Sequence, residues 1–491
     1  MVMKKIILFS SLAVFLSACS LDVNTDPNYP STVPSALVLP AVENAIATVT
    51  GDGMYNYAGF FAQYYDQMPE ANQYNTLADY TFTESSQIID RSYRTLYAGA
   101  LEDVDVILKD QTSTAADKYA ATVLRAYSFQ LLVDNMDKVP YTEALQGSSN
   151  SMPKWDDGQT VYKGVLAEMD AAEASIGVAT INCSDLLLNK DLNQWKGFAN
   201  ALRLRMYLRF IDAGGADVAT YTAKLKTLID AGNFFTGDVK YDVFIDEVGK
   251  RNPWYAANKV ALALNHVAAY PIVTYMQFTS DPRIAYNFVK ATNTNVYAGA
   301  IPGSKDVLGK KNADYSFLNY YASKPVYFFT QSELQFLLSE SYLRFYSNDS
   351  KAMTAYQAGI DADFAARNMT QSPTVMYGTG GKVAWSTAAD NTAKLQLIYM
   401  QKWVALCYMD HMEAWSEIRR TNCPKLSGST ASAINANSTV YTPGDLISPW
   451  NNGLVAGTLV KRMYFPVTAR QLNTNTPAAV TATTPVWWDT K

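Results

Sequence analysis

Three stretches of the chain interleave aromatic rings with amides and a carboxylate, the mixture suited to holding a pyranose. The sugar offers an apolar face to a ring and a rim of hydroxyls to hydrogen-bonding side chains. The first stretch runs from Tyr55-Asn56-Tyr57 through Gln63-Tyr64-Tyr65-Asp66-Gln67 to Asn72-Gln73-Tyr74-Asn75. Phe60, Phe61 and Tyr64 fall at helical spacing and are read as core, which leaves Tyr65, Asp66, Gln67, Tyr74 and Asn75 as ligand candidates, the last two beyond Pro69. The second stretch, Arg251 to Asn258, contributes Trp254, Tyr255 and Asn258, and a glycine-rich loop contributes Tyr297 beside Gly299.

Catalytic and metal-binding patterns are weak by comparison, so no catalytic residue and no enzyme activity are expected. The only histidines are His266 and His411, and Asp410-His411-Met412-Glu413 lacks the two-histidine spacing of a zinc hydrolase. No Gly-x-Ser-x-Gly occurs, and Gly378-Thr379-Gly380-Gly381-Lys382 lacks the four-residue gap of a phosphate loop. Asp22, Asn24, Asp26 and Asn28 alternate like a calcium loop, but Pro27 and Val33 stand where glycine and glutamate are needed. No cofactor is expected, with a structural calcium ion left open.

Composition narrows the setting. Lys4 and Lys5 precede an apolar run from Ile6 to Leu16, too short for a bilayer and fitting a secretory signal. Leu16-Ser17-Ala18-Cys19 resembles the lipobox of bacterial lipoproteins, which implies cleavage before Cys19 and acylation of its thiol. Several acyl chains give durable attachment, each buried methylene contributing about 0.8 kcal/mol. Loss of the signal takes the net charge from −5 to −7, which argues against nucleic acid as a partner. Cys183, Cys407 and Cys423 remain, leaving room for one disulfide and no disulfide framework.

The positioning elements are mostly helical. After a proline-containing tether at residues 19–35, Tyr93, Leu96, Tyr97, Ala100, Val104 and Ile107 recur at three- and four-residue steps. Past a turn near residues 111–114, Tyr119, Val123, Ala126, Tyr127 and Leu131 do the same, with Pro140 closing that helix. Val161, Val165 and Met169 are read as pairing with the stripe Trp195, Phe198, Ala199, Leu202 and Met206. Thr330 and Glu333 form a capping-box signature for a third pair, and a last long helix is expected from about Leu395 to Arg420. Helix pairs with this aromatic and alanine pattern look like degenerate tetratricopeptide units. The reading is a mainly α superhelix of one domain over residues 36–491, with its scaffold at about 36–232 and 330–420. Long inserted loops at about 233–329, 369–390 and 425–491, with a few short strands, would carry the ligand face. Glu417, Arg419, Arg420, Arg203 and Arg205 are expected in structural ion pairs, and Trp487-Trp488 in packing.

Eight stretches in order resemble the SusD/RagB family. They are the lipobox, Asp22 to Pro30, Lys138 to Gly147, Trp195 to Arg205, Thr330 to Leu334, Glu413 to Thr421, Arg462 to Pro466 and Val486 to Asp489. The pattern Gln401-Lys402-Trp403 then Glu413-Ala414-Trp415 is similar to one subgroup. The resemblance implies an outer-membrane lipoprotein facing the exterior, with a TonB-dependent SusC-like transporter as partner and a glycan as ligand. It leaves open a peptide-binding member, or a tetratricopeptide adaptor that binds only its transporter.

Overall fold

The computed structural model describes residues 34–262 and 264–491. The expected signal at 1–18, the lipidation site Cys19, the calcium-like alternation and the tether through Val33 lie outside them. The described chain is mainly helical, and the helices come in pairs as the spacing predicts. We label α1 Leu39–Thr48, α2 Met54–Phe61, α3 Glu102–Lys109, α4 Ala115–Met136, α5 Gly158–Ala174, α6 Leu192–Ala213, α7 Val218–Ala231, α8 Gln331–Phe345, α9 Asp349–Ala366, α10 Asn391–Leu406 and α11 His411–Thr421.

Local chemistry sets the ends. Thr114 caps α4 in a full capping box with Asp117, satisfying orphan N–H groups of the first turn. At its other end α4 stops at Met136, before Pro140, because Asp137 takes a positive φ of 71°. Thr330 Oγ1 accepts from the Glu333 N–H, but the Glu333 carboxylate goes to Arg205 instead of closing the box. The expected single helix to Arg420 is broken. Tyr408 has a φ of 65°, its N–H donates to His411 Nε2, and Asp410 caps a new helix through the Glu413 N–H.

The pairing differs from the sequence reading at one point. Helix α5 packs chiefly back onto α4, and α6 pairs chiefly with α7, while α8 packs on α9 and α10 on α11. The α5 stripe Val161, Val165 and Met169 is fully buried by this arrangement, since α4 presents buried residues along nearly all of its length.

Short strands tie the insertions to the scaffold: β1 Tyr65–Gln67, β2 Val239–Tyr241, β3 His266–Ala268 and β4 Val326–Phe329. β1 pairs antiparallel with β3, Asp66 opposite Val267, and β2 with β4, Tyr241 opposite Val326. Both β1 and β3 are buried along their whole length, so neither shows a solvent-facing alternation.

Buried ion pairs join the repeats. Arg205 of α6 grips Glu333 of α8 through two N–H groups at 2.9 and 2.7 Å. Arg209 reaches Asp134 of α4 at 2.6 Å and Glu413 of α11 at 2.7 Å. Arg420 bonds Glu340 at 2.6 Å and Glu417 at 2.7 Å, and Lys402 also bonds Glu417. Burial pushes the Glu340 carboxyl up, but the guanidiniums of Arg420 and Arg344 outweigh it and hold it down at about 2. Such pairs fix how helices meet, since removing one partner strands a charge. Trp488 is buried and donates from Nε1 to Asp134 at 2.9 Å, and Trp487 packs on Tyr162 and Phe210. Cys183, Cys407 and Cys423 are free thiols. No described helix is long and apolar enough to cross a membrane.

Candidate functional site

The structure brings the first two candidate stretches together, but it puts most of their side chains inside. Tyr65, Asp66, Gln67, Trp254 and Asn258 are all at most 2 % exposed, a correction to their expected place on a ligand face. The physical reason is that their polar atoms are spent within the protein. Tyr65 donates from its hydroxyl to the Asn56 carbonyl at 2.8 Å, and Trp254 Nε1 donates to Asn56 Oδ1 at 3.2 Å. Gln67 accepts the Tyr74 N–H at 2.6 Å, and Asn258 donates to the Trp254 carbonyl and accepts the Tyr74 hydroxyl. Burial and the nearby Asp79 raise the Asp66 carboxyl to about 8, and its Oδ2 accepts the Gly303 N–H.

His266 lies at the centre of this knot, its ring 4.7 Å from Tyr65, 4.8 Å from Tyr74 and 5.0 Å from Trp254. Burial lowers its pKa to about 3, so it is neutral and structural. His411 stacks on Tyr55 at 3.6 Å and is equally sealed. Tyr74, Asn75, Tyr255 and Tyr297 remain half-buried. The ammonium of Lys259 sits over the Tyr255 ring and that of Lys290 over Tyr297.

The knot supports a different surface. Gln63, in the turn after α2, acts as a substitute strand: its Nε2 donates to the Ile447 carbonyl at 2.6 Å and its Oε1 accepts the Ile447 N–H at 2.8 Å. That fixes the loop 446–453 on the core. The Trp450 N–H then donates to the Pro302 carbonyl and the Gly453 N–H to the Asp79 carbonyl. Gly303 must be glycine for this approach, because its φ is +70° and a Cβ would lie 2.9 Å from the Trp450 nitrogen.

Two chain segments, 427–432 and 448–457, enclose a groove of about 330 Å³, within the size range of ligand pockets. Its lining includes Ser427, Thr430, Ser432, Trp450, Asn451 and Asn452. Trp450 is half-buried, packed on one side against a small cluster of Ile301, Ala431, Ile434, Tyr441 and Ile447. Asn452 is a brace, donating to Ser448 Oγ and the Thr458 carbonyl. Among the described residues neither the Trp450 indole N–H nor the exposed Asn451 amide has a partner, and both residues line the groove. Ser448-Pro449-Trp450-Asn451-Asn452 has the aromatic-plus-amide signature used to choose Tyr74 and Asn75, and that signal could have found it in the sequence. A second pocket of about 230 Å³ meets the groove at Gly457 and is walled by Phe61, Trp415, Arg419 and Lys461. No group of three or more His, Cys, Asp or Glu side chains among the described residues could hold a metal ion.

A family model described as SusD-like, "starch-binding associating with outer membrane", matches residues 27–443. The chain belongs to this SusD-like family. Solved structures agree in fold. A SusD homolog from Bacteroides uniformis superposes with a TM-score of 0.72 at 19 % identity, covering 94 % of this chain and all of that one. A SusD homolog from Bacteroides ovatus gives 0.72 at 22 %, covering 94 % and 100 %. A chitin-binding SusD homolog from Flavobacterium johnsoniae gives 0.72 at 20 %, covering 91 % and 98 %. At these identities the likeness shows the fold, the tetratricopeptide-like helical scaffold expected from the repeat pattern. No curated protein matches the sequence.

Proposed function

We propose that this SusD-like chain is a cell-surface lipoprotein, anchored through Cys19 to the outer membrane, that captures glycan and delivers it to a TonB-dependent SusC-like transporter. The family's description as starch-binding and outer-membrane-associated supports both the ligand class and the place. The chitin-binding relative supports the same ligand class. The observation that carries the reading is the groove lined by the half-buried Trp450, the unpartnered Asn451 amide and several serine and threonine residues. A pyranose face stacks on the indole while its hydroxyls bond the amide and the serine and threonine rim. Capture needs no bond making, and many copies on one membrane compensate for weak single sites. Tyr74, Asn75, Tyr255 and Tyr297 are proposed as outlying contacts of the same loop face.

The test is binding of protein starting after Cys19 to polysaccharides in native gels, followed by calorimetry on oligosaccharides. Trp450→Ala is expected to weaken binding about tenfold, the scale of a buried tryptophan anchor at about 1.4 kcal/mol. Unchanged affinity in a folded variant would remove the groove from the site.

A further inference from the structure

We infer that the Trp450 groove selects uncharged glycans, hexose or N-acetylhexosamine oligomers, and rejects uronic-acid and sulfated chains. This inference rests on the glycan-capture reading above and sharpens it to a substrate class. The first observation is the lining itself. Its side chains come from serine, threonine, alanine, proline, tryptophan and asparagine, and its glycines add only backbone, so the groove carries no titratable side chain.

The second observation is that the basic side chains on the segments flanking the groove, Lys491 apart, already have partners, while the carboxylate beside the Trp450 loop, Asp79, has the same sign as an acidic sugar. Lys425, two residues before Ser427, pairs with Asp445 at 3.8 Å. Across Gly457, in the adjoining pocket, Lys461 donates to Asp489 and to the Lys491 carbonyl, both at 2.9 Å. Arg419 spends Nη1 on the carbonyls of Asp134 and Lys461, Nη2 on Ser416 Oγ and Nε on the Trp415 carbonyl. Lys491 lines that adjoining pocket and not the groove. A carboxylate or sulfate seated on Trp450 would therefore lose water without gaining an opposite charge, and burying an unpaired charge is costly. The hydroxyls and acetamides of a neutral sugar meet matching donors and acceptors instead.

The experiment measures affinity of the protein, starting after Cys19, for length-matched oligomers of glucose, N-acetylglucosamine, galacturonic acid and a sulfated galactan. Titrations run at 50 and 500 mM salt, with Trp450→Ala and the surface variant Asn451→Ala alongside. At least one neutral oligomer is expected to bind at least tenfold tighter than either charged one, to change less than twofold with salt, and to weaken in both variants. A charged oligomer binding as tightly as the best neutral one, and lost in Asn451→Ala, would overturn the selectivity while leaving glycan capture standing. Binding indifferent to both variants would remove the groove from the site and overturn this inference alone, whereas binding of no oligomer would sink the capture reading and this inference with it.

Discussion

Glu43, on α1, offers a test of the fold's electrostatics that reads a slope instead of a single value. Its side chain is wholly buried, Oε2 accepts the Leu186 N–H at 2.9 Å, and Oε1 has no partner among the described residues. Burial, with Asp185 alongside, raises its pKa from 4.5 to about 9. A carboxyl whose folded pKa lies above its unfolded value contributes stability below about pH 4.5 and loses it as the pH climbs through about 9. Each unit of that climb costs about 1.4 kcal/mol, so the loss between pH 5 and 8 is about 4 kcal/mol. Glutamine fills the same space and cannot ionise. With an unfolding entropy of about 2.1 cal/mol/K per residue, a chain of this length shifts its melting temperature by about 1 °C per kcal/mol. Thermal unfolding of wild type and Glu43→Gln at pH 5, 6, 7 and 8 should then show the variant gaining about 4 °C on the wild type across the series. Any fixed offset from the new amide drops out of that difference. Parallel curves would refute the assignment of Glu43 as a proton-bearing group in the core.

Arg420→Met should cost about 3–5 kcal/mol at neutral pH, because Glu340 and Glu417 lose the guanidinium between them. Since Glu340 is held down at about 2, that contribution is present above about pH 4.5 and fades as the pH falls toward 2, so the melting-temperature gap to wild type should narrow there. Gly197→Ala on α6 should destabilise by about 1–3 kcal/mol, because the new Cβ would lie 2.2 Å from the Phe235 backbone nitrogen, which cannot turn aside as a side chain would. A melting temperature equal to wild type would count against that close packing.

The scaffold was legible because its helices carry their apolar residues at regular steps and because turns such as that at Asp110 to Thr114 are polar. The partner of α5 was not legible, since a helix buried on several sides offers apolar residues to every neighbour. The break at Tyr408 was hidden for a related reason: Cys407-Tyr408-Met409 is apolar enough to continue a helix, and only the His411 and Asp410 side chains show why it stops. For the site, aromatic-amide mixing is ambiguous in principle. The same residue types that cradle a sugar also build a buried knot around His266, and burial is decided by strands from distant insertions, β1 with β3, that local pattern does not reveal. The groove lies in the insertion expected to carry a ligand face, and its aromatic-amide run at Trp450-Asn451 is the same signal that the buried knot carries.

The double hydrogen bond from Gln63 to Ile447 separates two jobs within one loop. Its anchor points are backbone groups at 447, 450 and 453, whereas positions 427, 430, 432 and 451 line the groove. The lining side chains can therefore be exchanged while the main chain of the loop keeps its seat.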